Sequence, residues 1–440
     1  MTDQQPALRT RASIYSYFIV AVLAVVYTLN FLDRQLLSIL AEPIRKELNL
    51  TDTQLGMLTG LAFAAFYTTF GIPLAWLADR SHRVRIIAAA CAIWSIFSAA
   101  CGLAGNFTAL AVARMGVGIG EAGGSPPSYS LISDYFPPNR RGVGLALYSL
   151  GVPLGTMLGS FLGAGIAVVY GWRTAFFAVG TPGIVMALLM LILIREPKRG
   201  RFDAMDAGSV SHAPSLPLFA AIRAFFSNRT LVLTAISSGL SAFVGYALLN
   251  WGPAFLIRNK HMSLGEIKIY YSLMSGVAGV IGTFGSGWLV DQLARRNRAF
   301  YALVPMISFI ISLPFFLAFV WAPTWQLSLA FLCVPALLNN MYLAPALAVV
   351  QNAVSPGQRT TAGALLLFIL NLVGLGGGPV LIGKLSDHFK AQYGVGSLQI
   401  ALYWLAPFFV LTIIAHFVAS RSIKRDAGLA KAVPEVAAAL

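Results

Sequence analysis

Charge is what this chain has least of. Only 11% of its 440 residues are charged, where a soluble protein of this size carries about 25%. Acids are scarcer than bases, with 16 Asp and Glu against 31 Lys and Arg. So thin a polar surface excludes an ordinary water-soluble globule. Cysteine is nearly absent too. Cys91, Cys101 and Cys333 have no paired spacing and read as small apolar packing residues. No His–Asp or paired-His spacing supplies the nucleophile–base or metal constellation that a lipid-modifying membrane enzyme needs, so no catalytic or metal-ligating residue is assigned. One near miss is GPVLIGKL at 378–385. Leu385 replaces the Ser or Thr that a phosphate loop requires, and the stretch is not set between a strand and a helix. ATP-driven transport is thereby disfavoured, and no cofactor is implied.

Apolar sequence fills the space that charge leaves. Hydrophobic residues make up 58% of the chain and the mean hydropathy is +0.75. Runs long enough to span a bilayer as helices fall at about 14–41, 53–78, 84–104, 107–135, 142–170, 172–195, 230–257, 265–291, 299–321, 324–353, 360–387 and 396–420. The first is too long for a cleavable signal peptide and no A-x-A site follows it, so it is expected to remain as a membrane helix.

Basic residues concentrate in alternate loops: RTR (9–11), DRSHRVR (79–85), NRR (139–141), REPKRGR (195–201), RRNR (295–298) and SRSIKR (420–425). That bias predicts both termini and the long middle loop in the cytoplasm of an inner-membrane protein. The net charge of +15 is then a topology signal, not a nucleic-acid-binding one.

The one long polar stretch, 196–217, divides six runs from six. The expected organisation is an amino-terminal half 1–195, a cytoplasmic linker 196–229 and a carboxy-terminal half 230–440. LFAAIRAFFSNR (218–229) puts Phe219, Ile222, Phe225 and Phe226 on one side of a helix with Arg223 among them. It reads either as a helix on the cytoplasmic membrane surface or as a simple lead-in to the seventh run. WLADRSHRVR at 76–85 and WLVDQLARRNR at 288–298 repeat Trp-Leu-x-Asp plus a basic cluster across the two halves. Such repeats mark secondary transporters.

The Asp and basic loop after the second and eighth runs resembles the signature loop of the major facilitator superfamily, with Ala75 and His82 standing where that signature usually has glycines. NFLDRQ (30–35) and ARMGVGIGEAGGSPPSYSLISDYFPPNRRG (113–142) are similar to its Spinster-like branch. The resemblance implies an all-α integral membrane fold of twelve helices in two six-helix halves with inverted repeats, acting as a monomer. It also implies alternating-access export of lysolipids or sphingosine phosphate. The Asn-aromatic-x-Asp-Arg stretch fits an organic-anion or sugar-acid symporter branch as well.

Asp33, Arg34, Arg114 and Glu121 are charges at bilayer depth, where burial is costly. At 1.5 Å per residue, Asp33 and Arg114 each lie about 12 Å below the outer ends of their helices, and Glu121 lies two turns from Arg114 on the same face. The first and fourth helices line the cavity in the resembled superfamily, so these four form a polar ladder. In one reading Asp33 and Glu121 carry protons while Arg34 and Arg114 hold them or a substrate phosphate. In the other, the four form a buried ion-pair lock.

The second half offers only neutral groups at such depth: Asn250, Asn339, Asn340 and Asn371. Each is a substrate-binding candidate or an interhelical hydrogen bond. The resemblance gives Asp79, Arg83, Asp291 and Arg295 a cytoplasmic gate role beside their plain topological one. GVGIGEAGG (116–124) and GVPLGTMLG (151–159) read as close helix contacts. Among the histidines only His416 is embedded, and no function is assigned to any. The expected partners are the lipid bilayer, protons and an anionic lipid or other small amphiphile.

Overall fold

In hydrocarbon, backbone groups must be satisfied within the chain, and apolar runs do this as helices. The computed structural model describes residues 13–199, 218–354 and 359–438. Among these it has twelve long helical segments: α1 Ile14–Ile39, α2 52–80, α3 Arg83–Cys101, α4 107–135, α5 138–170, α6 172–193, α7 Arg229–Lys260, α8 264–294, α9 Phe300–Trp321, α10 325–353, α11 359–393 and α12 397–438. They coincide with the twelve apolar runs to within a few residues, except that α11 continues six residues past its run and α12 eighteen. Residues 200–217, most of the expected linker, lie outside the described residues.

Breaks occur where the backbone demands them. Gly171, at φ 82°, turns α5 into α6 in a conformation open mainly to glycine. α4 divides at Gly123–Gly124, just before two prolines that cannot donate to a helix ladder. α10 opens at 339–342. Wide i→i+5 turns, which often mark functional positions, occupy Met57–Leu61 in α2, Ile267–Tyr271 in α8 and Leu370–Gly377 in α11.

The repeat seen in sequence has a structural counterpart. Thr51 and Gln54 form a capping box at the start of α2, and Ser263 and Glu266 form one at the start of α8. In each, the cap hydroxyl and the third residue's side chain satisfy otherwise orphaned backbone N–H groups.

In the first half α1 packs on α5, α4 on α2 and α3, and α6 on α3. In the second, α7 packs on α11 and α12, and α9 on α10 and α12. The halves meet along two seams, α2 with α11 and α5 with α8, and α1 touches α7 between them. Gly56 makes the first seam close: a methyl group there would come within 2.5 Å of the Pro379 carbonyl oxygen. Outward faces carry large apolar side chains such as Ile192, Val169 and Leu188, as a lipid-solvated surface requires.

Candidate functional site

α1 carries its polar residues at 30, 33, 34, 35 and 38, in its second half, where the helix is buried or half-buried on all sides. Asp33 is 1% exposed and Arg114 2%. One Asp33 oxygen accepts from Arg114 Nη1 at 3.2 Å, joining α1 to α4. The other accepts from the Ser98 hydroxyl of α3. The neighbouring Arg34 turns to Glu121, with Nε 2.5 Å from Oε2. The ladder expected from helical spacing is therefore two ion pairs side by side, and its four charges cancel.

Aromatic rings fill the space around them. The Arg34 guanidinium lies 4.9, 4.6 and 4.8 Å from the ring centres of Phe31, Phe63 and Tyr67. Phe63 also faces Arg114 at 5.4 Å, so this ring separates the two cations and is favourable to each. Below Arg34 on the same face of α1, Tyr27 stacks on Tyr148 with centroids 4.3 Å apart, and Tyr129 meets Tyr148 edge-on. Small residues bring α4 this close. A Cβ on Gly118 would sit 2.7 Å from the Phe63 carbonyl oxygen, which gives the glycines of 116–124 the packing role expected of them.

The site is not saturated. Among the described residues Glu121 Oε1, Arg114 Nε and Asn30 Oδ1 are buried without a hydrogen-bond partner. Buried polar atoms in that state are uncommon and call for an explanation.

The second half contributes less evenly than its four asparagines suggested. Asn250 of α7 accepts from Ser38 Oγ of α1 at 2.6 Å and so bridges the halves. Asn339, at the opening of α10, is buried with neither side-chain atom partnered. Asn340 is exposed and Asn371 half-buried, and each donates to a carbonyl one turn back in its own helix (Ala336 and Leu367 respectively). His416 is buried on α12 with Nε2 2.8 Å from Ser241 Oγ of α7.

The gate candidates on the basic face divide. Arg83 is buried and binds Asp134 at 2.5 Å, Glu196 at 2.6 Å and Ser130 at 2.9 Å. Asp134 and Ser130 belong to the first half and Glu196 is the first residue of the linker, so the arginine ties α3 to α4 and to the chain just past α6. Arg295 is exposed. The side chains of Asp79 and Asp291 lie outside the described residues.

Sequence reasoning missed the ionic link that does join the halves, at the face opposite the basic loops. Arg258, near the end of α7, takes both Asp52 oxygens at 2.7 and 2.9 Å. It also reaches Glu42, in the short helix Ala41–Glu47, at 2.9 and 3.1 Å. The Asp387 carboxylate of α11 accepts from the Asp52 and Thr53 backbone N–H groups at 3.0 and 2.7 Å, capping α2 from the other half. Ser386 adds a bond to Asp52 at 2.6 Å. A sequence signal existed: these residues stand at helix ends, where a charge is cheap on its own and unremarkable without its partner. Glu42 is buried, which alone raises a carboxyl's pKa. The hydrogen bonds and charges of Arg45 and Arg258 outweigh that and hold it below the usual glutamate range.

Twelve membrane-crossing helices in two halves, packed around a buried, charge-balanced cluster, define a multi-pass membrane transporter. The profile of the Major Facilitator Superfamily matches residues 23–378, and the chain belongs to that superfamily, among its Spinster-like members. An MFS-type efflux pump of Mycolicibacterium smegmatis is 36% identical to it over 92% of this chain and 93% of the pump. Human protein spinster homolog 1 is 27% identical over 86% of this chain and 74% of its own. The hexuronate transporter of Bacillus subtilis is 25% identical over 82% and 85% respectively. A crystal structure of a bacterial homologue of the human lysosomal transporter Spinster, inward-facing and occupied, has a TM-score of 0.83 and 30% identity, covering 94% of this chain and 98% of that one. Proteins of this superfamily move solutes and are not enzymes, as the missing catalytic constellation predicts.

Proposed function

We propose that this chain is a proton-linked secondary transporter of an amphiphilic anionic lipid, of the lysophospholipid or sphingosine-phosphate type, working by alternating access in the inner membrane. The observation that carries the reading is the pair of buried ion pairs with unused hydrogen-bonding atoms at Glu121 and Arg114. An acid that keeps its arginine in one helix packing and gives it up in another exchanges the arginine for a proton, and so links protonation to conformation. Asp33 and Glu121 are the two acids placed to do this. Arg34 and Arg114 are their partners and, when released, the groups suited to a phosphate. Asn339 and Asn250 are the second half's polar contributions, with Asn340 and its neighbours at the opening of α10.

The basic face is the cytoplasmic one by the distribution of Lys and Arg, so that both termini are cytoplasmic. The ionic link at Arg258 then closes the outer side, which makes the conformation inward-facing. Asp79, Arg83, Asp291 and Arg295 belong to the opposite, cytoplasmic gate, which closes when the halves rock the other way. The seam between α5 and α8 supports an acyl tail as cargo. It holds an open groove of about 210 Å3 lined by Pro153, Leu154, Met157, Gly276, Val277, Val280 and Ile281.

A second reading, a proton-coupled organic-anion or sugar-acid symporter, is favoured by the hexuronate transporter relative. The test is flux in proteoliposomes of the monomeric protein, with and without a proton gradient, for lysophosphatidic acid, sphingosine phosphate and glucuronate. Gradient-driven lipid flux that Glu121→Gln abolishes supports the proposal. Lipid flux indifferent to gradient and substitution removes the coupling, and glucuronate flux alone replaces the lipid with a sugar acid.

A further inference from the structure

We infer that the short helix Leu218–Ser227 is a docking surface for the bilayer leaflet at the basic face, preferring anionic lipid. The name of that leaflet, cytoplasmic, rests on the topology proposed above, but the contact itself does not. The helix runs ten residues and ends one residue before α7 begins. That residue, Asn228, caps α7 by accepting from the Thr230 and Leu231 N–H groups. A helix fixed so near the start of a membrane span lies at the boundary between hydrocarbon and headgroups.

Its two sides differ in kind. Ala221 and Phe225 are buried, and Phe225 clusters with Leu231, Ala235, Val350 and Leu366. Phe219 and Phe226 are 85% and 54% exposed, and Arg223 is exposed as well. Positions 219, 223 and 226 fall within about a 60° arc of the helix, since they are four and seven residues apart. An aromatic–arginine–aromatic stripe is the chemistry of a membrane interface: rings settle at headgroup depth while a guanidinium meets lipid phosphate. Anionic headgroups add Coulomb attraction for Arg223. The opposite, buried side borders a cleft of about 160 Å3 whose walls include Ala353 and Val354 at the end of α10 and Ala362 of α11. The same helix therefore touches lipid on one side and the ends of three transport helices on the other.

Spin labels measure the contact directly. Phe219→Cys, Phe226→Cys and, as a lipid-facing control on α7, Ile236→Cys are each made in full-length protein with Cys91, Cys101 and Cys333 replaced. Each is labelled and reconstituted into phosphatidylcholine vesicles with and without phosphatidylglycerol. The expected result is greater collision with oxygen than with a nickel chelate at 219 and 226, as at 236, and a shift to greater depth when phosphatidylglycerol is present. Arg223→Gln is expected to abolish that shift and leave the depth in neutral lipid unchanged. Chelate-dominated collisions at 219 and 226 would put the stripe in water and overturn the inference. Protection from both reagents would mean that protein covers it, a second copy or another part of the chain, and would overturn it equally. None of these readouts depends on transport, so a failed flux experiment leaves them intact.

Discussion

Replacing Arg258 with glutamine removes the cation that the second half contributes to Glu42 and Asp52. Its side chain is 9% exposed, and those of Glu42 and Asp52 are 3% and 5%, so solvent screens this cluster little. Removing one partner of a buried pair costs about 3–5 kcal/mol. The lower end applies here. Glu42 keeps Arg45, at 2.7 and 3.1 Å, and Asp52 keeps Ser386 and, at 3.9 Å, Arg45. All of that loss falls on the state closed at this face, because only there do the two halves share the arginine. A bias of about 3 kcal/mol is on the order of a 100-fold change in the ratio of closed to open molecules. Spin-label distances between Gly105→Cys in the α3–α4 loop and Val395→Cys in the α11–α12 loop report it, with Cys333→Ser to remove the one exposed native thiol. The expected outcome is a second, longer distance in Arg258→Gln. Asp52→Asn should give part of the same effect, and the double substitution little more than Arg258→Gln alone, as for residues acting through one contact. An unchanged distance distribution, or effects of the two substitutions that simply add, would refute the idea that this link holds the outer face shut.

Three further outcomes follow from the same geometry. Arg114→Met strands Asp33, 1% exposed, with only a serine hydroxyl, so thermal unfolding in detergent should show a loss of about 3–5 kcal/mol, while Asp33→Asn combined with Arg114→Met should be milder. Gly155→Ala puts a methyl group 2.4 Å from the Thr28 carbonyl oxygen between α5 and α1 and should cost about 1–3 kcal/mol, whereas Gly142→Ala, with nothing within 4 Å, should melt like the parent. Because Glu42 is held below its usual range, its share of outer closure is complete above the ordinary glutamate pKa and is lost as pH falls through the depressed one. The Gly105–Val395 distance should therefore hold at neutral pH and lengthen only in acid below the normal glutamate range, and Glu42→Gln should weaken that response, the remainder falling to Asp52, which shares Arg258.

Helix number and position were legible because a bilayer imposes one requirement, a long run of apolar residues, and the sequence writes it out twelve times. The pairing of Asp33 with Arg114 was legible for a related reason: depth along a helix is a simple count, and charges at equal depth in hydrocarbon must meet something. The outer link was not. Glu42, Asp52, Arg258 and Asp387 fall at or just beyond the ends of the apolar runs, so no rule of burial singles them out in the sequence, and their meeting depends on how one half sits on the other. The same limit applies to the asparagines. Asn250 bridges the halves, while Asn340 and Asn371 bond within their own helices, and only packing distinguishes them.

The hydrogen bond between Ser38 and Asn250 spans 212 positions, the spacing that also separates the capping residues Thr51 and Ser263. Equivalent places in the two repeats thus touch each other. In a dimer of identical chains, a residue on the two-fold axis can meet only its own copy: serine against serine, or asparagine against asparagine. Fusion of the copies into one polypeptide lifts that restriction, and here a hydroxyl that donates faces an amide oxygen that accepts. The contact joins equivalent positions of the two repeats at a point where their side chains differ and complement each other.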